Sequence, residues 1–563
     1  MNNIKTRNKL FTLLLLVIAL LIPQWGWAQT ASKPEKGDGT IGNPYIIRTA
    51  ENLAWFRDEV NKDFDHGNIC AKIADDVEVI DMSTVCYKAN ASKKGLDWVP
   101  IGDGYTGFYQ GTFDGNGKTI TNLYIDTYPY CVGLFGFTYG ATIKNLTLEY
   151  ATVINDGDYT GILVGCAENE STLQNIKISK TCQIEMYSYN MTEGVINYTG
   201  GIAGKLVGNA YNCLNYANIQ GKKLHEIRDV GGLFGEYKGN SMTACANYGK
   251  VTVAGSYVGG LVGSFLRGTI QDCANYGDVE GTYNVGGMAG YVNADGKIQN
   301  VFCYGSISGT EGPSLEGIVF GNTPNKGPGT EGMVAYYSGA KLTIRGNEQK
   351  VKAFGGDNFS EEKATGYTAA QLKSGEVAFK LQQNTSSKAK WGQNLANGGD
   401  IYPLIGSKYQ VYPDNVTLKC KTKEVVKYSS TYNNTSSAIR YQHGQIVHHA
   451  ATATCTKAGT KEYWQCQDCQ KTYSDEQLTK ELTDVTQPAL GHVNNADGYC
   501  SRCQPYGVKP SLENGVYQIA KPCHLAWFRN YVNGTIVNDG EKGSNNIVVF
   551  LTIQYYCLSL RHE

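Results

Sequence analysis

The chain has 563 residues, and its 50 basic and 51 acidic side chains give a formal net charge of −1. A chain this close to neutral lacks the basic surface that binds nucleic acid, so we expect no nucleic-acid partner. Its length predicts several domains, and its 67 glycines, about 12 % of the chain against a usual ~7 %, predict many turns and close backbone contacts.

Residues 1–28 have the features of a secretory signal peptide. A basic start is followed by a largely apolar run from Leu10 to Ile22, and Gly26 and Ala28 supply small residues at a cleavage site. The apolar run is shorter than the ~20 residues that a membrane-spanning helix needs. We therefore expect cleavage after Ala28, no membrane span in the mature chain, and a secreted or cell-surface location, with an uncleaved membrane anchor as the alternative.

Residues 37–129 are predicted to form an N-terminal capping module and the first coil of a solenoid. A helix is expected from Ala50 to Asn61, because Thr49 is a good N-cap and apolar residues recur at helical spacing. Those apolar residues are Leu53, Phe56 and Val60. The tract Phe113–Ile120 is predicted to belong to the first coil.

Residues 130–321 repeat one short glycine phrase. The tight copies are GGIAG at Gly200–Gly204, GGLFG at Gly231–Gly235, GGLVG at Gly259–Gly263 and GGMAG at Gly286–Gly290. Looser copies are Val132–Gly136, Thr160–Gly165 and Glu316–Gly321. The tight copies succeed one another at steps of 31, 28 and 27 residues, a period that is typical of a solenoid.

A polar turn and a short alternating strand come after each glycine phrase, as in Thr269–Gly281. A repeat with two or three strands makes one coil of a β-helix, and coils stack because none can bury its apolar face alone. The fold class that we predict is mainly β: a parallel β-helix solenoid with helical caps, followed by small β and Cys-rich modules.

The glycine phrase, its period and the strand after it together resemble the GLUG-motif repeats of bacterial secreted and cell-surface proteins. The resemblance covers roughly a third of the chain and implies a parallel β-helix, right-handed by analogy. GLUG repeats accompany several functions, including the non-catalytic parts of some IgA-cleaving metallopeptidases. The fold alone therefore does not assign an activity.

Three residue types recur at fixed positions of the coils. Cysteine at one position is replaced by Leu, Ile or Val in other coils, which indicates a buried apolar column of free thiols rather than disulfides. Asparagine and tyrosine recur at neighbouring positions. The members are Cys213, Cys245 and Cys273, then Asn215, Asn247 and Asn275, and then Tyr216, Tyr248, Tyr276 and Tyr304.

We expect the asparagines to hydrogen-bond along the stack, forming an asparagine ladder. The four tyrosines, here called the tyrosine ladder, are the candidate ligand contacts, because tyrosines on an exposed sheet face can stack on sugars. The alternative is that they are ordinary packed strand residues.

Residues 322–410 are predicted to form the C-terminal cap of the solenoid. One amphipathic helix is expected over Ala369–Gln382 after Thr368, with Leu372, Val377, Ala378 and Leu381 on its buried face. Residues 411–442 predict a small β module.

Residues 443–504 are predicted to form a separate Cys/His-rich module. Two Cys-x2-Cys pairs favour tetrahedral zinc in a zinc ribbon-like site, whereas the extracellular setting favours disulfides. The sequence suggests a closed site of Cys455, Cys466, Cys469 and His492, and a second pair of Cys500 and Cys503. The segment also resembles short Cys-rich repeats of bacterial surface proteins.

Residues 513–563 are predicted to be an incomplete second copy of the N-terminal capping module. Tyr517–Asn533 aligns with Tyr45–Asn61, and LAWFR is identical in the two. No coil or turn signal comes after the second copy, which suggests a truncated or frame-shifted reading frame.

The sequence contains no GxSxG elbow, no P-loop and no HExxH motif, and acids such as Glu236, Asp272 and Asp278 occur singly along the coils. We therefore predict a secreted or surface-exposed, non-catalytic binding or adhesion scaffold for an extended partner, either a glycan or a surface protein. The alternatives are a β-helix carbohydrate-active enzyme and the non-catalytic part of a surface peptidase. Structural zinc is the one cofactor predicted.

Overall fold

The structure is a computed structural model. It describes residues 31–90, 94–126, 130–155, 157–186, 196–221, 227–311, 315–323, 327–356, 359–385, 391–396, 399–413, 416–420, 430–431, 440–494, 496, 498–504, 507–533 and 549–551. The predicted signal peptide lies outside these residues. Internal contacts divide the chain into a first unit, residues 1–415 with 425–438, and a second unit, residues 416–424 with 439–563.

The first unit is mainly β and forms a parallel β-solenoid of about 10 turns, which confirms the predicted fold class. Three sheets run along the stack, and successive coils pair in parallel register; Leu214, for example, pairs with Ala246, which pairs with Ala274. The apolar interior is continuous from the first coils to Phe354.

The largest sheet has eighteen strands. They are Tyr45–Ile47, Ala71–Ile73, Val79–Asp81, Thr112–Thr121, Phe135–Tyr139, Thr142–Glu149, Val164–Ile178, Ala203–Tyr211, Leu214–Asn215, Phe234–Thr243, Ala246–Asn247, Val262–Asn275, Ala289–Val292, Gly296–Cys303, Phe320–Asn322, Gly329–Tyr337, Phe354–Gly355 and Thr365–Tyr367.

The other two solenoid sheets have nine and five strands. The nine are Tyr124–Asp126, Thr152–Asn155, Gln183–Met186, Asn218–Gly221, Val251–Val253, Val279–Gly281, Ile307–Gly309, Leu342–Ile344 and the antiparallel Asn347–Gln349. The five are Thr160–Gly161, Ile196–Gly200, Ile227–Gly231, Gly255–Gly259 and Tyr283–Gly286.

The glycine phrase has a steric cause at two of its positions. A Cβ on the second glycine would meet the ladder asparagine of the same coil, at 2.7 Å for Gly201 and Cγ of Asn215. A Cβ on the last glycine would meet the backbone of the preceding coil, at 2.5 Å for Gly204 and the carbonyl carbon of Tyr159. Tyr159 has a left-handed backbone with φ of 59°, so the preceding coil bulges towards this glycine.

The asparagine ladder forms as predicted. The side-chain amide of Asn215 donates to Oδ1 of Asn247 at 2.9 Å, and that of Asn247 donates to Oδ1 of Asn275 at 2.9 Å. Each amide also donates to the carbonyl two residues on, which satisfies these fully buried groups. In the next coil Cys303 takes the corresponding position.

The cysteine column is also buried as predicted. Cys213, Cys245 and Cys273 each have 0 % exposure and are free thiols. Burial raises the pKa of the Cys213 and Cys245 thiols well above its ordinary value. They therefore serve as small apolar side chains of the interior.

Helices pack on the solenoid at two places. The predicted N-terminal helix contributes to its apolar interior, whereas the helices of the predicted C-terminal cap pack against the sides of several coils, beside Ala246, Ala274 and Phe302. Helix α1, Ala50–Val60, begins at Thr49, whose hydroxyl accepts from the N–H of Asn52, and it buries Leu53, Phe56 and Val60 completely. The predicted single helix of the C-terminal cap is instead two, α2 at Ala369–Lys373 and α3 at Glu376–Asn384. They are separate because Gly375 between them has a φ of 84°, which ends the first helix.

The first unit also has short 3-10 helices and small sheets outside the coils. The 3-10 helices are Phe64–His66, Met82–Thr84 and Glu361–Lys363. The strands are Trp391–Gly392, Leu404–Ile405, Val411–Tyr412 and Ser430–Thr431.

Where the structure describes it, the second unit has short strands and helix α4, Pro522–Val532. Its strands are Thr417–Lys419, Arg440–Gln442, Ile446–His449, Gly459–Thr460, Tyr463–Cys466, Thr472–Tyr473, Glu481–Leu482, Thr486–Gln487, Leu512–Glu513, Val516–Ile519 and Val549–Leu551. The predicted small β module 411–442 is thus split between the two units. Among the described residues, no helix is long and apolar enough to cross a membrane.

The second copy of the capping module repeats the strand–helix–strand order of the first. Val516–Ile519 pairs in parallel with Val549–Leu551, as Tyr45–Ile47 pairs with Ala71–Ile73. Leu525 and Val532 are 51 % and 59 % exposed, whereas Leu53 and Val60 at the aligned positions are buried. Most of the tract that the sequence suggests is truncated lies outside the described residues.

Candidate metal centres and a candidate binding groove

The second unit contains two clusters of three cysteines and one histidine. The first, centre A, comprises Cys420, His443, Cys466 and Cys469; the second, centre B, comprises Cys455, His492, Cys500 and Cys503. In each centre the four possible ligand atoms lie within 4.8 Å of one another.

Centre A is assembled by strand pairing. The strand Thr417–Lys419 pairs in parallel with Arg440–Gln442, and Cys420 and His443 are the residues directly after these strands. The Cys-x2-Cys turn at the end of the strand Tyr463–Cys466 brings two further thiols to the same place. Sγ of Cys420 lies 3.4 Å from Sγ of Cys466, and Sγ of Cys469 lies 3.8 Å from Nδ1 of His443.

Centre B is assembled from a loop cysteine, a histidine and the second Cys-x2-Cys pair. Sγ of Cys455 lies 3.6 Å from Sγ of Cys500, and Sγ of Cys503 lies 3.5 Å from Nδ1 of His492. The N–H of Gly491 donates to the carbonyl of Cys455 at 3.0 Å, which fixes His492 beside that cysteine.

These distances fit a shared metal ion better than a disulfide. Two thiolates that bind one tetrahedral zinc at about 2.3 Å are separated by about 3.8 Å, whereas sulfurs in a disulfide are about 2.05 Å apart. The donor set Cys3His is one that zinc commonly takes in structural sites. The clusters could therefore each hold a metal such as zinc.

One thiol of each Cys-x2-Cys pair is poised to ionise. Burial raises the pKa of Cys466, but hydrogen bonds from the N–H of Cys469 and from His443 outweigh it and lower the pKa to about 6. The N–H of Cys503 is the main cause that lowers the pKa of Cys500 to about 5. The thiolate is the form that binds metal.

The structure corrects the predicted grouping of the metal ligands. Cys466 and Cys469 do not lie with Cys455 and His492, which instead complete the site of Cys500 and Cys503. The parallel strand pair supplies the missing partners of the first Cys-x2-Cys pair, Cys420 and His443, which the sequence analysis did not identify.

A signal for the missed ligands is present in the sequence. Both centres have the order Cys, His, Cys-x2-Cys, and the lone cysteine stands 46 residues before Cys466 and 45 residues before Cys500. The neighbouring His448 and His449 belong to neither centre. Their rings stack on those of Trp464 and Tyr463, with ring centroids 4.8 and 4.4 Å apart.

The tyrosine ladder in the first unit is a stack of parallel rings. The ring centroids of Tyr216 and Tyr248 are 4.5 Å apart, as are those of Tyr248 and Tyr276. Tyr402 of the C-terminal cap then stacks on Tyr276 at 4.9 Å and contacts Tyr304 at 4.4 Å. The ring faces are therefore largely occupied by one another, and the ring edges and hydroxyls are the parts left to meet a partner.

The four tyrosines of the ladder differ in how far they are buried. Tyr276 is only 7 % exposed, and its hydroxyl donates to the carbonyl of Pro403 at 2.8 Å. Tyr216, Tyr248 and Tyr304 are half-buried. The cap segment thus covers most of Tyr276, and the expectation that all four tyrosines contact a ligand stays a prediction.

A groove of about 490 Å³ runs beside the ladder. It is lined by tyrosines and by a column of one polar residue per coil. The wall tyrosines are Tyr248, Tyr276, Tyr304 and Tyr337, and the polar column is Asn218, Lys250, Asp278 and Ser306. We call this space the tyrosine groove.

The polar column is preorganised by contacts between coils. Oδ1 of Asn218 accepts from the N–H of Lys250 at 2.8 Å, and Oδ1 of Asp278 accepts from the N–H of Ser306 at 2.8 Å. The groove therefore offers a lysine, a carboxylate, an amide and hydroxyl groups at a regular spacing along the stack. Such a mixture favours hydrogen bonding to a polar partner.

A third cluster departs from the repeat on another side of the solenoid. Asp229 takes the left-handed position that tyrosines occupy in neighbouring coils, and Ser264 donates a short hydrogen bond to it. Burial raises the pKa of Asp229 to about 6 and also raises that of Glu236. Nζ of Lys205 lies 3.6 Å from Glu236 and 2.8 Å from Glu168.

Comparisons with known sequences show similarity over about a quarter of this chain. No family model matches the chain. It is 32 % identical over 146 residues to a "Putative Gly-rich membrane protein" of Evansella cellulosilytica. The matched segment covers 25 % of this chain and 15 % of that protein. It is also 32 % identical over 149 residues to halomucin of Haloquadratum walsbyi. This matched segment covers 26 % of this chain and 2 % of that protein.

The chain therefore spans only a small part of the length of these curated relatives. Among solved structures, it is similar to a "putative immunoglobulin A1 protease" from Bacteroides ovatus. That match has a TM-score of 0.39 and 18 % identity, and it covers 66 % of this chain and 95 % of that one.

Proposed function

We propose that this chain is an exported, non-catalytic scaffold that binds an extended partner, a glycan or a surface protein, through its tyrosine groove. The observation that carries the proposal is the groove itself, an open space lined by tyrosines and by one polar residue per coil. Stacked coils place one polar group each at intervals of about 4.8 Å, which suits an extended partner with polar groups along its length.

The chemistry of the groove favours recognition by hydrogen bonds over stacking. The ladder rings already cover one another, and burial raises the pKa of Tyr216 and Tyr304, so their phenols stay neutral hydrogen-bonding groups. The small net charge implies little long-range electrostatic attraction.

The test is an array of oligosaccharides and surface proteins probed with the full chain. The informative variant replaces Tyr248, Tyr304 and Tyr337 together with Phe, because Phe keeps the stacked rings and removes only the hydroxyls. We expect the triple variant to lose at least about tenfold in affinity, a loss of about 1.4 kcal/mol.

Tyr257→Phe is the matched control, since Tyr257 is half-buried in a coil but does not line the groove. The proposal fails if the triple variant binds as the unaltered protein does. Four Ser replacements across the ladder would be a poorer test, because they would remove the ring stacking that holds neighbouring coils together.

We further propose that centres A and B each hold one structural zinc. Four protein ligands close the coordination shell in each centre, which leaves no open position of the kind a catalytic zinc needs. Nε2 of His443 lies 3.5 Å from the hydroxyl of Tyr473, which is the sort of outer partner that orients a ligating histidine.

Metal analysis of the full chain purified without reductant tests the zinc proposal. We expect two zinc ions per chain. Absence of zinc together with two disulfides among the six cysteines of the two centres would contradict it.

A second candidate function is a carbohydrate-active enzyme, and the Asp229–Glu236 cluster favours it. A carboxyl with a pKa near 6 beside a second partly buried carboxyl is a pattern that general acid–base catalysis uses. Release of sugars from a polysaccharide panel, abolished in Glu236→Gln, would support this activity. If no polysaccharide is cleaved, the chain stands as a scaffold, which also fits the non-catalytic part of a surface peptidase.

A further inference from the structure

The two metal centres overlap along the chain. Centre A draws its residues from Cys420 to Cys469 and centre B from Cys455 to Cys503, so Cys455 lies inside the span of centre A. Two independent zinc modules would instead succeed one another without overlap.

The overlap has a structural basis in one β-hairpin. The strands Ile446–His449 and Tyr463–Cys466 pair antiparallel, with Ile446 opposite Cys466. His443 precedes the first strand and Cys466 ends the second, so centre A closes the base of the hairpin. Cys455, the first ligand of centre B, lies in the loop that this hairpin carries.

The hairpin loop is in turn tied to the remaining ligands of centre B. Gly459–Thr460 pairs antiparallel with Thr486–Gln487, and the N–H of Leu490 donates to the carbonyl of Thr454 at 2.9 Å. Gly491, which donates its N–H to the carbonyl of Cys455, is the residue directly before His492. The N–H of Ser501 donates to the carbonyl of Val493 at 3.1 Å, which attaches the second Cys-x2-Cys turn to the same segment.

We propose that the two centres are interlocked, so that they take up and lose zinc as a unit, with Cys420 and His443 as essential ligands of the first. The proposal rests on the zinc assignment of the proposed function. Zinc in centre A closes the hairpin base and reduces the conformational freedom of the loop that must present Cys455. Zinc in centre B fixes that loop and so lowers the cost of ordering the hairpin for centre A.

Linkage makes this coupling reciprocal. If zinc in centre A strengthens zinc binding at centre B by some factor, zinc in centre B strengthens binding at centre A by the same factor. Loss of one ligand from either centre should therefore weaken the centre that keeps all four of its own ligands.

The experiment is zinc competition against a chelator, performed on the full chain. For the unaltered protein we expect two zinc ions and a cooperative release curve with a Hill coefficient above 1. For Cys420→Ser and for Cys503→Ser we expect one zinc ion each, a non-cooperative curve, and a remaining centre about tenfold weaker than in the unaltered chain.

Matched controls separate ligation from disturbance of the fold. Gln467→Ala and Ser501→Ala change exposed residues within the two Cys-x2-Cys turns and should keep both zinc ions and the cooperativity. His443→Cys keeps four ligands in centre A and should also keep both. The absorption spectrum of the cobalt(II)-loaded protein gives a second measure of the thiolate ligands in every variant.

Three outcomes decide the matter. Two zinc ions released independently, with the surviving centre unchanged in each single variant, would overturn the interlock while leaving the zinc assignment intact. Two zinc ions retained in Cys420→Ser would overturn the ligand assignment. A full chain that binds no zinc would remove the assignment on which the interlock rests.

Discussion

At the residue scale, the repeat is explained by the packing of one asparagine side chain against one glycine in each coil. Gly232 lacks a Cβ where the side chain of Asn247 packs, and Asn247 bonds both the next coil and its own turn. The recurrence of both residues in the sequence was enough to predict the ladder. Their mutual contact was not predictable, because it depends on where two sides of one coil meet.

Asn247→Ala should destabilise the solenoid. The change removes one of the two acceptors of the Asn215 amide and both side-chain hydrogen bonds to the backbone of Gly249, in a fully buried site. Unpaired buried groups cost about 1–3 kcal/mol each, so we expect a loss in this range or above in the free energy of unfolding. Denaturant unfolding measures it, and the exposed Asn240→Ala should change little.

Glu316 gives a pH-dependent prediction at the same scale. It precedes Gly317, which pairs with Gly286, so it continues a column in which Val285 and Val258 are buried. Its side chain has 0 % exposure, and both carboxylate oxygens lack a hydrogen-bond partner among the described residues. Burial raises its pKa to about 7, partly offset by the charges of Lys352 and Arg345.

The sign of the effect comes from this raised pKa. The folded state keeps a proton that the unfolded state releases, so the free energy of unfolding falls as pH rises from about 4.5 to about 7. Glu316→Val should therefore stabilise the protein, and more at pH 8 than at pH 4. An equal effect at both pH values in thermal unfolding would contradict the assignment, and the exposed Glu331→Gln serves as the control.

At the scale of elements, the sequence analysis predicted the repeated coils and missed the contacts between residues that are far apart in the chain. The coils and helix α1 were predictable, because their signals lie within one period or one helix. The partners of Cys466 and Cys469 come from a parallel strand pair that no local pattern reveals. The cover over Tyr276 comes from Tyr402, more than a hundred residues further along the chain.

One buried carboxyl group contributes to the attachment of the C-terminal cap. Asp272 accepts from Nε1 of Trp391 at 3.1 Å and from the hydroxyl of Thr385 at 2.8 Å. Trp391→Phe should cost about 0.5–1.5 kcal/mol, since it removes one of the donors to a buried carboxyl group while Asn300 and Thr385 still donate to it. Faster proteolytic cleavage after residue 385, without change in the unfolding of the second unit, would be the expected sign; an unchanged cleavage rate would contradict it.

At the scale of the whole molecule, the solenoid presents similar groups many times, whereas the second unit holds two compact Cys/His clusters. Each coil contacts mainly its neighbours, so a partner that spans several coils can gain from each one. The tyrosine groove is one place where the described coils expose such a row of polar groups.

The most direct test of the account is a hydrogen-exchange footprint of the full chain with the strongest binder from the array. We predict slower exchange in the coil segments that line the tyrosine groove, 214–221, 246–253, 274–281, 302–309 and 337–340, with the second unit unchanged. Protection confined to the second unit, or to the coils around Asp229 on another side of the solenoid, would contradict the assignment of the groove as the binding surface.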